Sequence, residues 1–403
     1  MLRAAEDSGP SPPAGAWPPT PAAGYLAAVG LALGLAGCIS LSRFSYAIIL
    51  PAMRNDLAWS YTLAGALNTI NAVGYLIGSI LAFASVRRLG AKRPFIVNLW
   101  LTAATVLATA WLRDFSSIAF VRLLSGATSA YAFVAGGAVV AFVFPNDVRR
   151  SATAIAIYFS GGGLGLFMTA VTLPWLLHSR GDAAWPEAWL LLGVMIAITS
   201  LCATIAARPI DVPRGERIPI PWSQRPLLPL IVGYGCFALG YYGYMTFAVA
   251  WMREHGASGT DIAIFWGVLG LASILTSRLW ARPMATWPGG RPFAAVMATV
   301  GVGAAIPLLG GSLPIMLVSA VLYGCFFMVP ASLTTYVKNA LPRPLWGEAM
   351  AAFTLYFSIL QCFGPAATGY LADVTGSLAA GLGISAGLLL LGAVAGWTQR
   401  SIA

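Results

Sequence analysis

Apolar runs of roughly twenty residues recur from Gly24 to the end of the chain, separated by short loops that hold most of the charge. A run of that length is what a helix rising 1.5 Å per residue needs to cross about 30 Å of hydrocarbon. Twelve can be drawn, at 24–50, 62–84, 94–112, 117–143, 152–177, 188–207, 227–252, 260–282, 292–311, 314–338, 348–371 and 377–398. With 59% hydrophobic and 9% charged residues, a soluble globular domain is excluded. The expected class is an all-α membrane protein.

The net charge of +10 is not a nucleic-acid signal, because the basic residues lie in loops and form no basic and aromatic patch. They read instead as a loop bias that sets orientation. Arg87, Arg88, Lys92, Arg93, Arg149, Arg150, Arg208, Arg214, Arg217, Arg225, Arg282, Arg291, Lys338 and Arg343 fall on one side, with both termini; only Arg54, Arg113, Arg180 and Arg253 fall on the other. The expectation is a multi-pass protein of the bacterial inner membrane with cytoplasmic termini. It comprises a disordered tail at 1–23, a six-helix bundle at 24–207, a cytoplasmic linker at 208–226 and a second bundle at 227–403.

The halves repeat. Gly37-Cys38 recurs 198 residues on as Gly235-Cys236, Tyr46 as Tyr244, Arg93-Pro94-Phe95 as Arg291-Pro292-Phe293, and Tyr158-Phe159-Ser160 as Tyr356-Phe357-Ser358. Two parallel six-helix repeats about an axis along the membrane normal place a substrate near the midplane between them.

Against this background Arg43, inside Cys38 to Met53, is the costly residue, since a mid-membrane charge costs about 2.5–3.5 kcal/mol on insertion scales. It is either a pin satisfied by neighbouring polar groups or an anion-recognising group in the central cavity, a guanidinium being suited to carboxylate, sulfonate or phosphate. Arg122, about five residues from the end of its run, could snorkel or join Arg43 as a second cation in that cavity. The repeat sets Tyr241 against Arg43, and Tyr46, Tyr241, Tyr242, Tyr244 and Gln361 are further candidates for substrate contact; the tyrosines could equally be packing residues. Gly161, Gly163, Gly165, Gly364 and Pro365 suit close helix approach and bending. Asn68 and Asn71 share a helix face and suit interhelical bonds. All the acidic residues fall in tails, loops or run ends, so no carboxylate is placed for a proton relay, and a proton would have to travel with the substrate. Five cysteines without ligand spacing, and His178 and His255 in loops, give no metal or nucleophile signature. No cofactor and no enzymatic activity are expected.

From Arg43-Phe44-Ser-Tyr46 and Leu50-Pro51-Ala-Met53, through Asn71-Ala-Val-Gly74-Tyr75-Leu76-Ile-Gly78, to Gly369-Tyr-Leu-Ala-Asp373, the chain resembles the YbfB/YjiJ branch of the major facilitator superfamily. The run Arg122-Leu-Leu-Ser-Gly126 is similar to that superfamily's fourth helix. The resemblance implies a secondary carrier with the twelve-helix major facilitator fold. Two departures stand out: the loop after the second run has Phe83 and Arg87 where the superfamily has Gly and Asp, and Gly165 is followed by Leu166 where antiporters carry Pro. The expected function is alternating-access transport of a small organic anion, proton symport being the first expectation, by a monomer embedded in lipid and binding no nucleic acid. Efflux of amphipathic drugs and a non-transporting membrane sensor are the alternatives.

Overall fold

The computed structural model describes residues 18, 20–212, 223–342 and 345–401. Most of the expected tail, and 213–222 of the expected linker, lie outside the described residues. Among the described residues all regular structure is helical. In chain order the helices are α1 (Pro21–Asp56), α2 (Tyr61–Leu89), α3 (Lys92–Thr109), α4 (Phe115–Val140), α5 (Val148–Arg180), α6 (Trp185–Ala207), α7 (Leu228–Glu254), α8 (Gly259–Thr286), α9 (Arg291–Leu309), α10 (Leu313–Ala340), α11 (346–375) and α12 (Leu378–Trp397). The last but one is built from Trp346–Leu360 and Gly364–Thr375.

Ten of these passages are long and apolar enough to cross a membrane. The other two are α3, which starts on Lys92-Arg93, and α11, interrupted between Leu360 and Gly364. Several helices outrun their apolar stretches, α1 reaching Asp56 and α2 reaching Leu89. Helical hydrogen bonding continues through the headgroup layer, where polar side chains are tolerated, so hydropathy marks the hydrocarbon part only.

The acidic residues placed at helix ends by the sequence have work there. Asp114 accepts from Ser117 N at 2.8 Å, Asp147 from Arg150 N at 2.9 Å, and Ser258 with Asp261 forms a reciprocal capping box. Each satisfies donors that a helix start leaves open.

Two local features position the site. Within α1, Ala36–Phe44 is π-helical, and Ser45 N reaches back five residues to Ser40 O at 3.0 Å. Gly37, the two serines within this segment and Ser45 just after it make it a weak α-former. Ser42 and Ser45 turn their hydroxyls onto Cys38 O and Leu41 O, while Ser40 bonds Gly162 O on α5, each at 2.6 Å. Such back-bonding competes with the helix ladder and bends it. Elsewhere, glycine permits backbone contact. A Cβ on Gly74 or Gly78 of α2 would collide with the carbonyls of Leu123 or Ala127 on α4, and one on Gly126 with that of Asn71. These helices therefore pack as a tight pair.

We call the end holding the 57–60, 255–258 and 376–377 turns the odd-loop end, and the end holding the described termini the even-loop end. Among the described residues, every hydrogen bond between 24–207 and 227–401 lies from mid-helix to the odd-loop end. There Asp373 of α11 accepts from Tyr61 N at 3.0 Å, Thr62 N at 2.6 Å and Thr62 Oγ1 at 2.5 Å. Tyr61 OH donates to Glu254, and the Arg54 guanidinium covers the Tyr61 ring at 3.9 Å. The helix pairs α2–α11 and α5–α8 close the same end, with Gly65 against Pro365 O and Gly163 against Gly270 O.

Candidate functional site

Arg43, at the end of the π segment, is 3% exposed and crosses from α1 to the other half. Its Nη2 donates to Gln361 Oε1 of α11 at 3.0 Å. Its guanidinium lies between two rings, 4.2 Å from the centroid of Tyr75 on α2 and 4.8 Å from that of Tyr242 on α7. Tyr241 OH also donates to Gln361 Oε1, at 3.2 Å. The Tyr242 hydroxyl donates to Asn68 Oδ1 at 2.8 Å, and Asn68 Nδ2 to Thr246 Oγ1 at 2.7 Å. A polar layer thus joins α1 and α2 to α7 and α11.

Among the described residues, that layer contains no carboxylate. The two salt bridges among them, Arg150–Asp147 and Arg180–Glu187, lie on the surface. Two cation–π contacts, up to about 2 kcal/mol each when desolvated, and one charged hydrogen bond, about 1.5–3 kcal/mol, offset the cost of burying Arg43. They leave the positive charge in place. Arg43 Nε and Gln361 Nε2 are buried without a partner.

Arg122 is fully buried, so it does not snorkel. It donates through Nη1 to Ser42 O at 2.8 Å, a carbonyl the π segment turns toward it, and stacks at 4.7 Å over Trp189 of α6. Its Nε and Nη2 have no partner. The sequence expectation set both arginines into one cavity. In the structure the hydrogen bond and ring contacts of Arg122 are all to its own half. Its acceptor, Ser42 O, lies 80 residues away in the chain, a pairing that spacing does not reveal.

The repeat-related Tyr46 and Tyr244 are also turned inward. Tyr46 OH donates to Ala64 O at 2.9 Å and its ring lies 6.3 Å from Trp189; Tyr244 OH pairs with Ser319 Oγ at 2.5 Å and its ring stacks at 4.0 Å on Tyr323. Their hydroxyls are committed within their halves, so of the candidate tyrosines only Tyr241 and Tyr242 are brought to the inter-half layer.

The candidate packing residues lie at helix contacts. Gly161 and Gly165 face Ala32 O and Ala36 O of α1, Gly163 faces α8, and Gly364 faces Leu239 O of α7. Pro365 offers its carbonyl to Gly65 of α2, and Asn71 Nδ2 donates to Arg122 O at 2.9 Å, tying α2 to α4. Sequence reasoning missed Trp189 and the role of Tyr75. For Tyr75 a signal existed: it lies seven residues from Asn68 and four from Asn71, on the same helix face.

Residues 31–396 match the family described as "Uncharacterised MFS-type transporter YbfB". The chain is similar to human Monocarboxylate transporter 11, 26% identical over 405 residues that cover 94% of this chain and 82% of that protein. It is also similar to the Arabidopsis thaliana protein named Probable anion transporter 3, chloroplastic, 25% identical over 158 residues. That match spans 36% of this chain and 31% of the relative, under a third of the relative's length. Among solved structures, a mutant of the nucleoside transporter NupG superposes with a TM-score of 0.72 at 14% identity, covering 94% of this chain and 99% of that one. This likeness shows the fold.

Proposed function

The chain belongs to the YbfB family of major facilitator transporters, and from that premise we propose that this secondary transporter carries a small organic anion, taken at Arg43 in the layer between the halves. One observation carries the reading. Two arginines are buried with no carboxylate beside them among the described residues, and Arg43 Nε, Arg122 Nε and Nη2, and Gln361 Nε2 have nothing to donate to. A buried polar group without a partner costs about 1–3 kcal/mol, more when charged, and an anion entering the layer supplies both the acceptors and the opposite charge. Arg43 makes direct contact with the anion. Arg122, one layer behind, adds positive potential and holds α1 through Ser42 O. The printed names of the two sequence relatives, an anion transporter and a monocarboxylate transporter, are in keeping with this.

The transport cycle alternates access by rocking one half against the other around this layer. With the arginine-rich loops taken as cytoplasmic, the even-loop end faces inward, and the state described has its outer end sealed. Uptake by symport fits a site that lacks its own proton carrier, because the proton then accompanies the anion.

Proteoliposome flux of labelled organic anions and cations, with and without a pH gradient, tests this. Anion flux that rises with an inward proton gradient and falls at least tenfold in Arg43→Ala is the expected result. Anion flux at the wild-type rate in Arg43→Ala, or flux of cations alone, overturns it.

A further inference from the structure

We propose that the anion is an aromatic monocarboxylate, with its carboxylate clamped by Arg43 and the Gln361 amide and its ring laid against parallel aromatic faces of α7 and α11. This rests on the anion reading above and narrows it.

The clamp comes first. Gln361 Oε1 accepts from both Arg43 Nη2 and Tyr241 OH, which fixes which end of the amide is oxygen and turns Nε2 away from both donors. Nε2 is then a buried donor with no acceptor, and so is Arg43 Nε on the group it binds. Gln361 is fully buried and Arg43 nearly so. Two open N–H donors on bonded neighbours equal in number the two oxygens of one carboxylate. The neighbouring hydroxyls add no donor to this pair, Tyr241 OH being spent on Gln361 and Tyr242 OH on Asn68.

The ring follows from what surrounds the clamp. On α7, Tyr234, Phe237 and Tyr241 recur at i, i+3 and i+7. On α11, Phe353, Phe357 and Gln361 recur at i, i+4 and i+8. Each set forms one helix face. The faces meet, and the rings of Tyr234, Phe237, Tyr241 and Phe357 lie close to parallel, with Phe237–Tyr241 at 4.8 Å and 18°, Tyr234–Phe357 at 5.2 Å and 27°, and Tyr241–Phe357 at 5.5 Å and 25°. Phe353, farther from the clamp, stands edge-on to Tyr234 at 81°. Aromatic cores also use edge-to-face pairs, as at Phe353 here and in Phe44–Phe326 at 80°, so the parallel set nearest Gln361 is not the default. A shared plane direction beside the clamp suits a flat guest more than a branched aliphatic one. Phe357, one turn before Gln361, keeps part of its surface uncovered while Phe353 is buried.

Benzoate and cyclohexanecarboxylate have the same charge and similar size, so they isolate the ring. Calorimetric titration of the purified full-length protein in detergent should show benzoate binding about fivefold tighter, the equivalent of one stacked pair at about 1 kcal/mol, and benzamide failing to compete. Phe357→Leu should bring the two acids level, and Phe357→Tyr should restore the gap. Equal affinities for both acids in the wild type, each lost in Arg43→Ala, overturn the aromatic inference and leave the anion reading standing. No binding of either acid, or binding indifferent to Arg43→Ala, overturns both. The wild-type comparison needs no variant to fold.

Discussion

Replacing Asp373 with Asn should open the odd-loop end. The first four N–H groups of α2 are fully accounted for: Tyr61 N and Thr62 N bond Asp373, Leu63 N bonds Ser60 Oγ at 3.1 Å, and Ala64 N bonds Ser60 O at 3.1 Å. Half of the cap of this helix therefore comes from the other half of the protein, which makes Asp373 a latch. Asn keeps one acceptor oxygen, and loses the second together with the charge that faces the helix N-terminus. A charged hydrogen bond is worth about 1.5–3 kcal/mol when buried and the helix-end charge about 0.3–1 kcal/mol. Asp373 is exposed to solvent, so the lower parts of those ranges apply. A loss of about 1–2 kcal/mol moves the closed-to-open ratio by roughly five- to thirtyfold. Spin labels at Ser116→Cys and Ser312→Cys, exposed positions in the odd-loop end of each half, report that ratio as a distance distribution. Four of the five native cysteines are buried and label poorly. An Asp373→Asn distribution that matches the unmodified latch would refute the capping argument.

The same latch should respond to pH in one direction only. Burial raises the Asp373 pKa, but the bonds from Thr62 and Tyr61 outweigh it and hold the carboxyl below its ordinary 3.8. Closure is then fully supported above that value and lost as pH falls below it, so distances measured between pH 8 and 5 should agree. Arg122→Met should keep or raise the thermal midpoint in detergent, since removing a buried charge that has no counterion relieves a cost, while anion flux falls; a midpoint drop of many degrees would mean that Arg122 is a structural pin. Gly78→Ala should destabilise by about 1–3 kcal/mol through overpacking against Ala127 O, read as a lower midpoint. An unchanged midpoint would show that α2 and α4 are not in backbone contact.

The apolar runs, their repeat and Arg43 were legible because each is a local property set against a hydrocarbon background, where one charge or one twenty-residue run stands out. What the chain order hid was direction. Arg122 reads either as an arginine able to reach water or as a second cation beside Arg43, yet its hydrogen bond goes to Ser42 O, 80 residues earlier, within its own half. Tyr46 and Tyr244 look like site residues by symmetry, but a hydroxyl takes the nearest acceptor, and for both that acceptor lies within their own half. Asp373 was visible as an acid at a helix end, and its partners, 311 and 312 residues away, were not.

The π segment Ala36–Phe44 carries a surplus residue compared with an α-helix of equal rise. Each α-helical residue turns about 100°, so shifting that surplus by one place along α1 swings whatever it passes through a comparable angle while the helix ends stay still. Like a ruck pushed along a carpet, it lets one point rotate without dragging the whole. Arg43 sits at the edge of the ruck. Its bearing, toward Gln361 or away, can therefore be reset within a single helix that keeps its Thr20 and Asp56 ends anchored, a finer adjustment than tilting a six-helix half.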